Sequence, residues 1–152
     1  RFQPHYPLGC VDSATVAHAR ATDSIAGGTA APPDGRFATG LANLAAVFRA
    51  GITVAMGTDA GNPLTLHGPS VYWEMEAMQQ AGLSPMDVLV AATRNGARAM
   101  GRERDLGTLE AGKLADLVVL GADPTADIRN AREVRYVMRG GALSTPRLLA
   151  PR

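Results

Sequence analysis

The stretch "GITVAMGTDAG", residues 51–61, places one carboxylate, Asp59, directly after an apolar run of strand type. Small residues flank Asp59 on both sides, so the backbone can turn tightly and the carboxylate can face an open cavity. Enzymes built on parallel sheets place functional groups just past the carboxyl ends of strands. There a carboxylate can ligate a divalent ion and accept the proton of an attacking water. A turn or helix-capping aspartate is the alternative interpretation, and spacing alone leaves both open.

Two further side chains are candidates for contacts with a substrate. His67 lies in the loop "LTLHGPS" shortly after Asp59, where its imidazole can be aimed at the same cavity; a lone loop histidine is more often structural. On the following predicted helix, Glu74 flanks the apolar face and therefore needs a partner, either a substrate or an arginine. Glu76 points away from that face and is predicted to be a solvated charge.

The elements that would position these residues alternate between helix and strand. The run "ITVAM" is apolar on both faces and suits a strand over about residues 52–57 in a parallel sheet covered by helices. Apolar spacing, capping residues and terminal glycines predict four helices. Their sequences are "VDSATVAHARATDSIAGG", "LANLAAVFRAG", "PSVYWEMEAMQQAG" and "LSPMDVLVAATRNGARAMG". The last should begin at the cap Ser84 and bury one stripe, formed by Met86, Leu89, Val90, Thr93, Ala97 and Met100.

From Arg104 onward the pattern changes to short strands. "DLGTLEAGKLADLVVL" contains two β-like runs, and "EVRYVMRGGAL" predicts a hairpin that turns at Gly140 and Gly141. We therefore divide the chain into an α/β part, residues 1–103, a small β unit, residues 104–145, and a poorly ordered tail, residues 146–152. Because one buried parallel strand needs neighbouring strands on both sides, the sequence is expected to be the C-terminal part of a larger α/β protein.

Composition narrows the function classes. The chain has 152 residues, 46% of them hydrophobic, and its 15 basic and 14 acidic residues give a formal net charge of +1. That balance predicts no nucleic-acid partner, and the absence of an apolar run of about 20 residues predicts no membrane span. The single cysteine, Cys10, excludes an internal disulfide. His5 and His18 lack the spacing of a first-shell metal motif, and we interpret His18 as structural.

Three segments in order resemble the C-terminal part of the amidohydrolase superfamily, in its imidazolonepropionase-like and Xaa-Pro-dipeptidase-like branch. They are "GITVAMGTDAG", "SVYWEMEAMQQAGLSPMDVLVAATRNGARAMG" and "LGTLEAGKLADLVVLGADP". The resemblance covers about residues 41–143, whereas residues 1–40 match only loosely. It implies the last part of a (β/α)8 TIM-type barrel, with "ITVAM" as the last barrel strand, followed by the C-terminal strands of a small β-sandwich.

The resemblance also implies a site and a reaction. Asp59 matches the aspartate that binds the metal and handles the proton of the attacking water, and His67 corresponds to a loop position over the active site. One or two divalent ions, most often zinc, would be held by further ligands upstream of residue 1. Lys113 follows Asp59 and so does not match the family's bridging lysine. The implied reaction is hydrolysis of a C–N bond in a small amide, cyclic amide or dipeptide, with the 152 residues alone inactive.

Two other readings stay open at this point. One is deamination of a ring on the same scaffold, and the other is a truncated, non-catalytic domain in which "GTDAG" is only a turn. Our default expectation for location is the cytoplasm, although the start "RFQPHYPLGC" lacks an initiator Met and leaves an upstream signal peptide open. A homo-oligomer is compatible with the sequence.

Overall fold

The structure is a computed structural model that describes residues 35–61, 65 and 67–146, together with residues 14 and 17. Helices come first in this part of the chain and a sheet follows. The α-helices are α1 (Arg36–Arg49), α2 (Pro69–Gln80), α3 (Pro85–Val90) and α4 (Gly96–Ala99). A π-helical turn (Ala91–Asn95) joins α3 to α4. The strands are β1 (Leu117–Leu120), β2 (Val134–Arg139) and β3 (Ala142–Ser144), with a 3-10 helix (Ile128–Arg132) between β1 and β2.

Helix α1 ends as its sequence predicts but begins earlier. Gly51 has φ +76, the left-handed conformation that lets glycine terminate a helix. The start at Arg36 lies five residues before the predicted start at Leu41. Gly35 precedes the helix with φ +74 and no side-chain cap, so the start carries no capping signal.

Helices α2 and α3 begin as their sequences predict. Pro69 and Pro85 open them, and the Ser84 hydroxyl accepts a hydrogen bond from the Asp87 N–H at 3.2 Å. The stripe predicted in the last helix was partly wrong. Ala97 is buried as predicted and Leu89 and Val90 are partly buried, but Met86, Thr93 and Met100 are exposed, and Val88 and Ala91 are buried in their place. From Ala91 onward the π-helical turn shifts the face of the helix that points inward, and a regular period of 3.6 residues does not anticipate such a shift.

The three strands form an antiparallel meander in the order β1-β2-β3. The two-residue turn between β2 and β3 is formed by Gly140 and Gly141, both with positive φ, as predicted. Of the two β-like runs predicted in "DLGTLEAGKLADLVVL", the second contains β1. The first is not a strand, because residues 105–108 form turns and bends. There the Lys113 ammonium donates to the carbonyl of Glu103 at 2.7 Å and to the hydroxyl of Thr108, which ties the loop together.

The core lies between the helices and the 3-10 helix. Its buried side chains come from both parts of the described chain: Met75, Met78, Leu83, Val88, Ala91, Ile128 and Ala131. Ile128 is 2% exposed, and its N–H donates to the side-chain oxygen of Gln79 at 3.2 Å. Arg132 forms an ion pair with Glu76 at 2.7 Å and stacks over the ring of Tyr72. The helices and the small sheet are therefore joined through the 3-10 helix.

Several predictions meet a different outcome or lie outside the described residues. Residues 52–57 carry no strand ladder in the part of the chain that the structure describes, because no neighbouring strand lies beside them there. The first predicted helix is described only at Ala14 and Ala17, both helical. Cys10, His5, His18 and residues 147–152 lie outside the described residues. None of the described helices has the length and hydropathy to cross a membrane.

Candidate functional site

The candidate site is centred on Asp59, at the end of the segment 52–58. Burial alternates along this segment, with Val54 and Met56 packed against the core and Thr53, Ala55 and Gly57 exposed. This is the period of an extended strand that buries one face. Its exposed face carries only small side chains, which leaves room in front of the segment, and Asp59 continues the exposed set.

Asp59 itself has an unusual backbone conformation. In the described part of the chain, Asp59 is the one non-glycine residue with a positive φ, and its value is 50°. Aspartate tolerates the left-handed region better than most residues, yet the conformation is still less favourable than an extended one. Residues held in such conformations concentrate at functional sites, where the surrounding structure imposes them. The backbone therefore turns sharply at the one acid that the sequence places after the apolar run.

The structure brings His67 to the same loop region. The Gly61 N–H donates to the carbonyl of Thr65 at 3.0 Å, which closes the loop after Asp59. A Cβ placed on Gly61 would lie 3.7 Å from Nε2 of His67, so the imidazole lies against the backbone two residues beyond Asp59. His67 is exposed and lies two residues before α2. An acid and an imidazole thus lie at one end of the segment, and their roles at a functional site stay predictions.

Glu74 lies on α2 and is half-buried. Burial raises the pKa of its carboxyl above the ordinary value of 4.5, because the charged form loses hydration. The interpretation of Glu76 as a solvated charge was wrong, since its carboxylate pairs with Arg132 and is about one-third exposed. The substrate role of Glu74 stays a prediction.

The residues that the structure describes do not form a metal site by themselves. No group of three His, Cys, Asp or Glu side chains among them is arranged to hold an ion. A single exposed carboxylate on a sharp turn nonetheless has the chemistry of one ligand, because hard divalent ions and zinc both accept carboxylate oxygens. The carboxylate of Asp59 is therefore chemically suited to act as one metal ligand, and this role stays a prediction.

A cavity of about 650 Å³ lies away from Asp59. It is lined by Gly51–Val54, at the beginning of the segment, and by Ala91, Arg94, Asn95 and Arg98 of the last helix. Neither Asp59 nor His67 contributes to its wall. Size alone would favour this cavity as the site, but the acid and the imidazole lie at the other end of the segment, and we place the chemistry there.

One long-range contact of the segment that leads to Asp59 was missed by sequence reasoning. Asn95 lies inside a predicted helix, which favours a surface or packing residue, yet its side-chain Nδ2 donates to the carbonyl of Val54 at 2.8 Å, across 41 residues of sequence. The feature of the sequence that could have indicated this contact is an asparagine inside a predicted helix. Asparagine is a poor former of helix interiors because its amide competes for backbone groups, and here the amide bonds a different segment.

Comparison with known proteins identifies the family of this chain. Residues 9–143 match the amidohydrolase family. The imidazolonepropionase of Aromatoleum aromaticum is 47% identical over 79 residues, which are 51% of this chain and 19% of that protein. The 5-methylthioadenosine/S-adenosylhomocysteine deaminase of Moorella thermoacetica is 36% identical over 92 residues, 56% of this chain and 22% of the relative.

A solved structure supports the same relationship. The crystal structure of an Xaa-Pro dipeptidase with bound methionine in the active site superimposes with a TM-score of 0.64 and 31% identity. The match covers 69% of this chain and 25% of the dipeptidase. The chain thus spans about a fifth to a quarter of the length of these relatives.

Proposed function

We propose, since the chain belongs to the amidohydrolase family, that the complete protein is a hydrolase of C–N bonds. The substrate would be a small amide, cyclic amide or dipeptide. Relatives named imidazolonepropionase and Xaa-Pro dipeptidase support this class of substrate. The 152 residues would supply part of the active site, because they span only a fraction of the length of each relative.

In this proposal residues 52–57 are the last strand of a (β/α)8 barrel, and residues 104–145 contribute strands to a small β-sandwich. The alternating burial of the segment supports the first assignment, since its packed face meets helices and its open face carries small side chains. The exposed apolar residues Val119 and Tyr136, which are cross-strand partners on β1 and β2, support the second. Such residues are expected where another layer covers a sheet.

Asp59 would carry the acid–base step. The family generally uses a divalent metal, and for this protein we propose one or two zinc ions. The metal would activate a water and polarise the scissile carbonyl. Asp59 would hold one ligand position, accept the proton of the water and pass it to the leaving nitrogen. The observation that carries this role is the strained, exposed aspartate at the end of the half-buried segment. His67 would contact the substrate from the adjoining loop, and Glu74 is a further candidate.

A second candidate function is deamination of a nitrogen-containing ring on the same scaffold. The deaminase of Moorella thermoacetica favours it, because its identity to this chain extends over 92 residues. The proton transfers asked of Asp59 are the same in both reactions, so the described residues are compatible with either. The substrate separates the two candidates.

The test uses the full-length protein that contains this chain. It is stripped with a chelator, reloaded with Zn²⁺ and assayed with three probes: an Xaa-Pro dipeptide, imidazolone propionate and 5-methylthioadenosine. We expect metal-dependent turnover of one probe, and Asp59→Asn should lower kcat by about 10²–10⁴-fold while the protein stays folded. Asp105→Asn, at an exposed aspartate paired with Arg102, is the matched control and should leave kcat unchanged. Near-normal turnover by Asp59→Asn would exclude the assigned role.

A further inference from the structure

Two hydrogen bonds join the segment 52–58, which leads to Asp59, to the π-helical turn between α3 and α4. The Met56 N–H donates to the carbonyl of Ala91 at 3.0 Å, and Nδ2 of Asn95 donates to the carbonyl of Val54 at 2.8 Å. Ala91 and Asn95 are the first and last residues of the π-helical turn. One backbone donor and one backbone acceptor of the segment therefore meet the two ends of the same turn.

These two bonds fix the register of the segment. Val54 and Met56 point to the core, whereas Ala55, Gly57 and Asp59 belong to the exposed set. A shift by one residue would exchange the two faces and direct Asp59 toward the helices. Since Asp59 follows Met56 by three residues, no more than about 10 Å of extended chain separates the acid from the hydrogen bond of the Met56 N–H.

The π-helical turn is supported from its other side. Gly107, with φ +92, approaches so closely that a Cβ placed there would lie 2.7 Å from Cβ of Ala97 and 2.9 Å from Cα of Arg94. The loop that leads into the small sheet thus packs directly on the turn. The turn therefore contacts both this loop and the segment 52–58.

We infer that Asn95 is a positioning residue for the reaction proposed above, acting through the Val54 carbonyl to set where the Asp59 carboxylate lies. This inference rests on the proposed function. The amide of Asn95 is suited to the role because it donates to a carbonyl of another segment, whereas a backbone N–H inside a helix is used by the carbonyl of its own helix. The partly buried Val54 carbonyl loses a partner when that amide is removed.

The test compares Asn95→Ala and Asn95→Asp in the full-length protein, with the probe that the wild type hydrolyses. Asn95→Asp keeps the shape of the side chain but replaces the donor by an acceptor facing the Val54 carbonyl. Asn130→Ala is the matched control, because Asn130 Nδ2 also donates to a backbone carbonyl, that of Asp123 at 2.7 Å, but far along the chain from Asp59. Amide hydrogen exchange over residues 54–58 and retention of Zn²⁺ against a chelator are measured beside kcat and KM.

We expect both Asn95 variants to exchange faster over residues 54–58, to lose Zn²⁺ more readily, and to lower kcat by about 10–100-fold with little change in KM. Asn130→Ala should change none of these. Unchanged exchange in both Asn95 variants, or faster exchange with wild-type kcat and metal retention, would overturn the inference and leave the proposed function standing. A wild-type protein without metal-dependent turnover of any probe would overturn the proposed function, and the positioning role with it.

Discussion

The half-buried carboxyl of Glu74 gives a prediction about pH. Its folded-state pKa lies above the unfolded value, so the folded protein keeps this proton to a higher pH than the unfolded chain. The free energy of unfolding should therefore fall as the pH rises from about 4.5 through the raised pKa, and stay reduced above it. Glu74→Gln should remove this fall and stabilise the protein at pH 7, by less than about 1 kcal/mol because half of the side chain still meets water.

Urea unfolding of both proteins between pH 4 and pH 8 measures the effect. Glu76→Gln is the control on the same helix: it should destabilise the protein at pH 7, because it weakens the ion pair with Arg132. If Glu74→Gln were also destabilising, the Glu74 carboxylate would have a cationic or metal partner in another part of the protein. That result would support its candidacy as a residue of the site.

At the scale of elements, two methionines separate core from surface. Met78 on α2 is 2% exposed and Met86 on α3 is 53% exposed, although the sequence pattern assigns both to buried faces. Met78→Ala should lower the free energy of unfolding by about 2–5 kcal/mol through lost packing and a cavity. Met86→Ala should change it by no more than about 0.5 kcal/mol.

Denaturant unfolding of the full-length protein followed by circular dichroism gives both values. A Met78→Ala variant as stable as wild type would contradict the core assignment. A loss of equal size for Met86→Ala would show that a segment outside the described residues covers this face of α3.

The sequence predicts those element boundaries that are marked by residues with one local preference. Pro69, Pro85, Ser84, Gly51 and the pair Gly140–Gly141 act through their own backbone geometry, and each lies where it was expected. In the last helix the exposure of Thr93 and Met100 was mispredicted because the π-helical turn, which coincides with the bond to Met56, changes the helical period. That bond joins residues distant in sequence, and local patterns do not contain it.

The same distinction holds for the candidate site. Asp59 and His67 were predicted from their place after an apolar run and before a helix, and the structure brings His67 against Gly61. Asn95 and the Glu76–Arg132 pair were missed because their partners lie 41 and 56 residues away. Residue type suggests that such side chains need partners, but only the fold selects them.

For the whole molecule, the balance between buried and exposed apolar side chains gives a last prediction. In the part of the chain that the structure describes, eight hydrophobic residues are buried and eleven large ones are exposed. The exposed ones occur both in the helical part and in the small sheet. Among them are Ile52 in the segment 52–58, Met100 after α4 and Leu143 on β3. Surfaces of this kind are normally covered by another chain or segment.

We therefore expect residues 1–152, produced alone, to self-associate. The segment 52–57 adds to this tendency, because it has no strand ladder in the described structure. The Ile52 and Met56 N–H groups and the Val54 carbonyl bond neighbouring helical residues, and the remaining backbone groups can pair with another copy. Light scattering coupled to gel filtration should show oligomers, and thermal unfolding should be broad. The full-length protein is the control and should unfold sharply. A monomeric 152-residue chain with a sharp, cooperative transition would contradict the expectation, because its exposed apolar faces would then need no further segment to cover them.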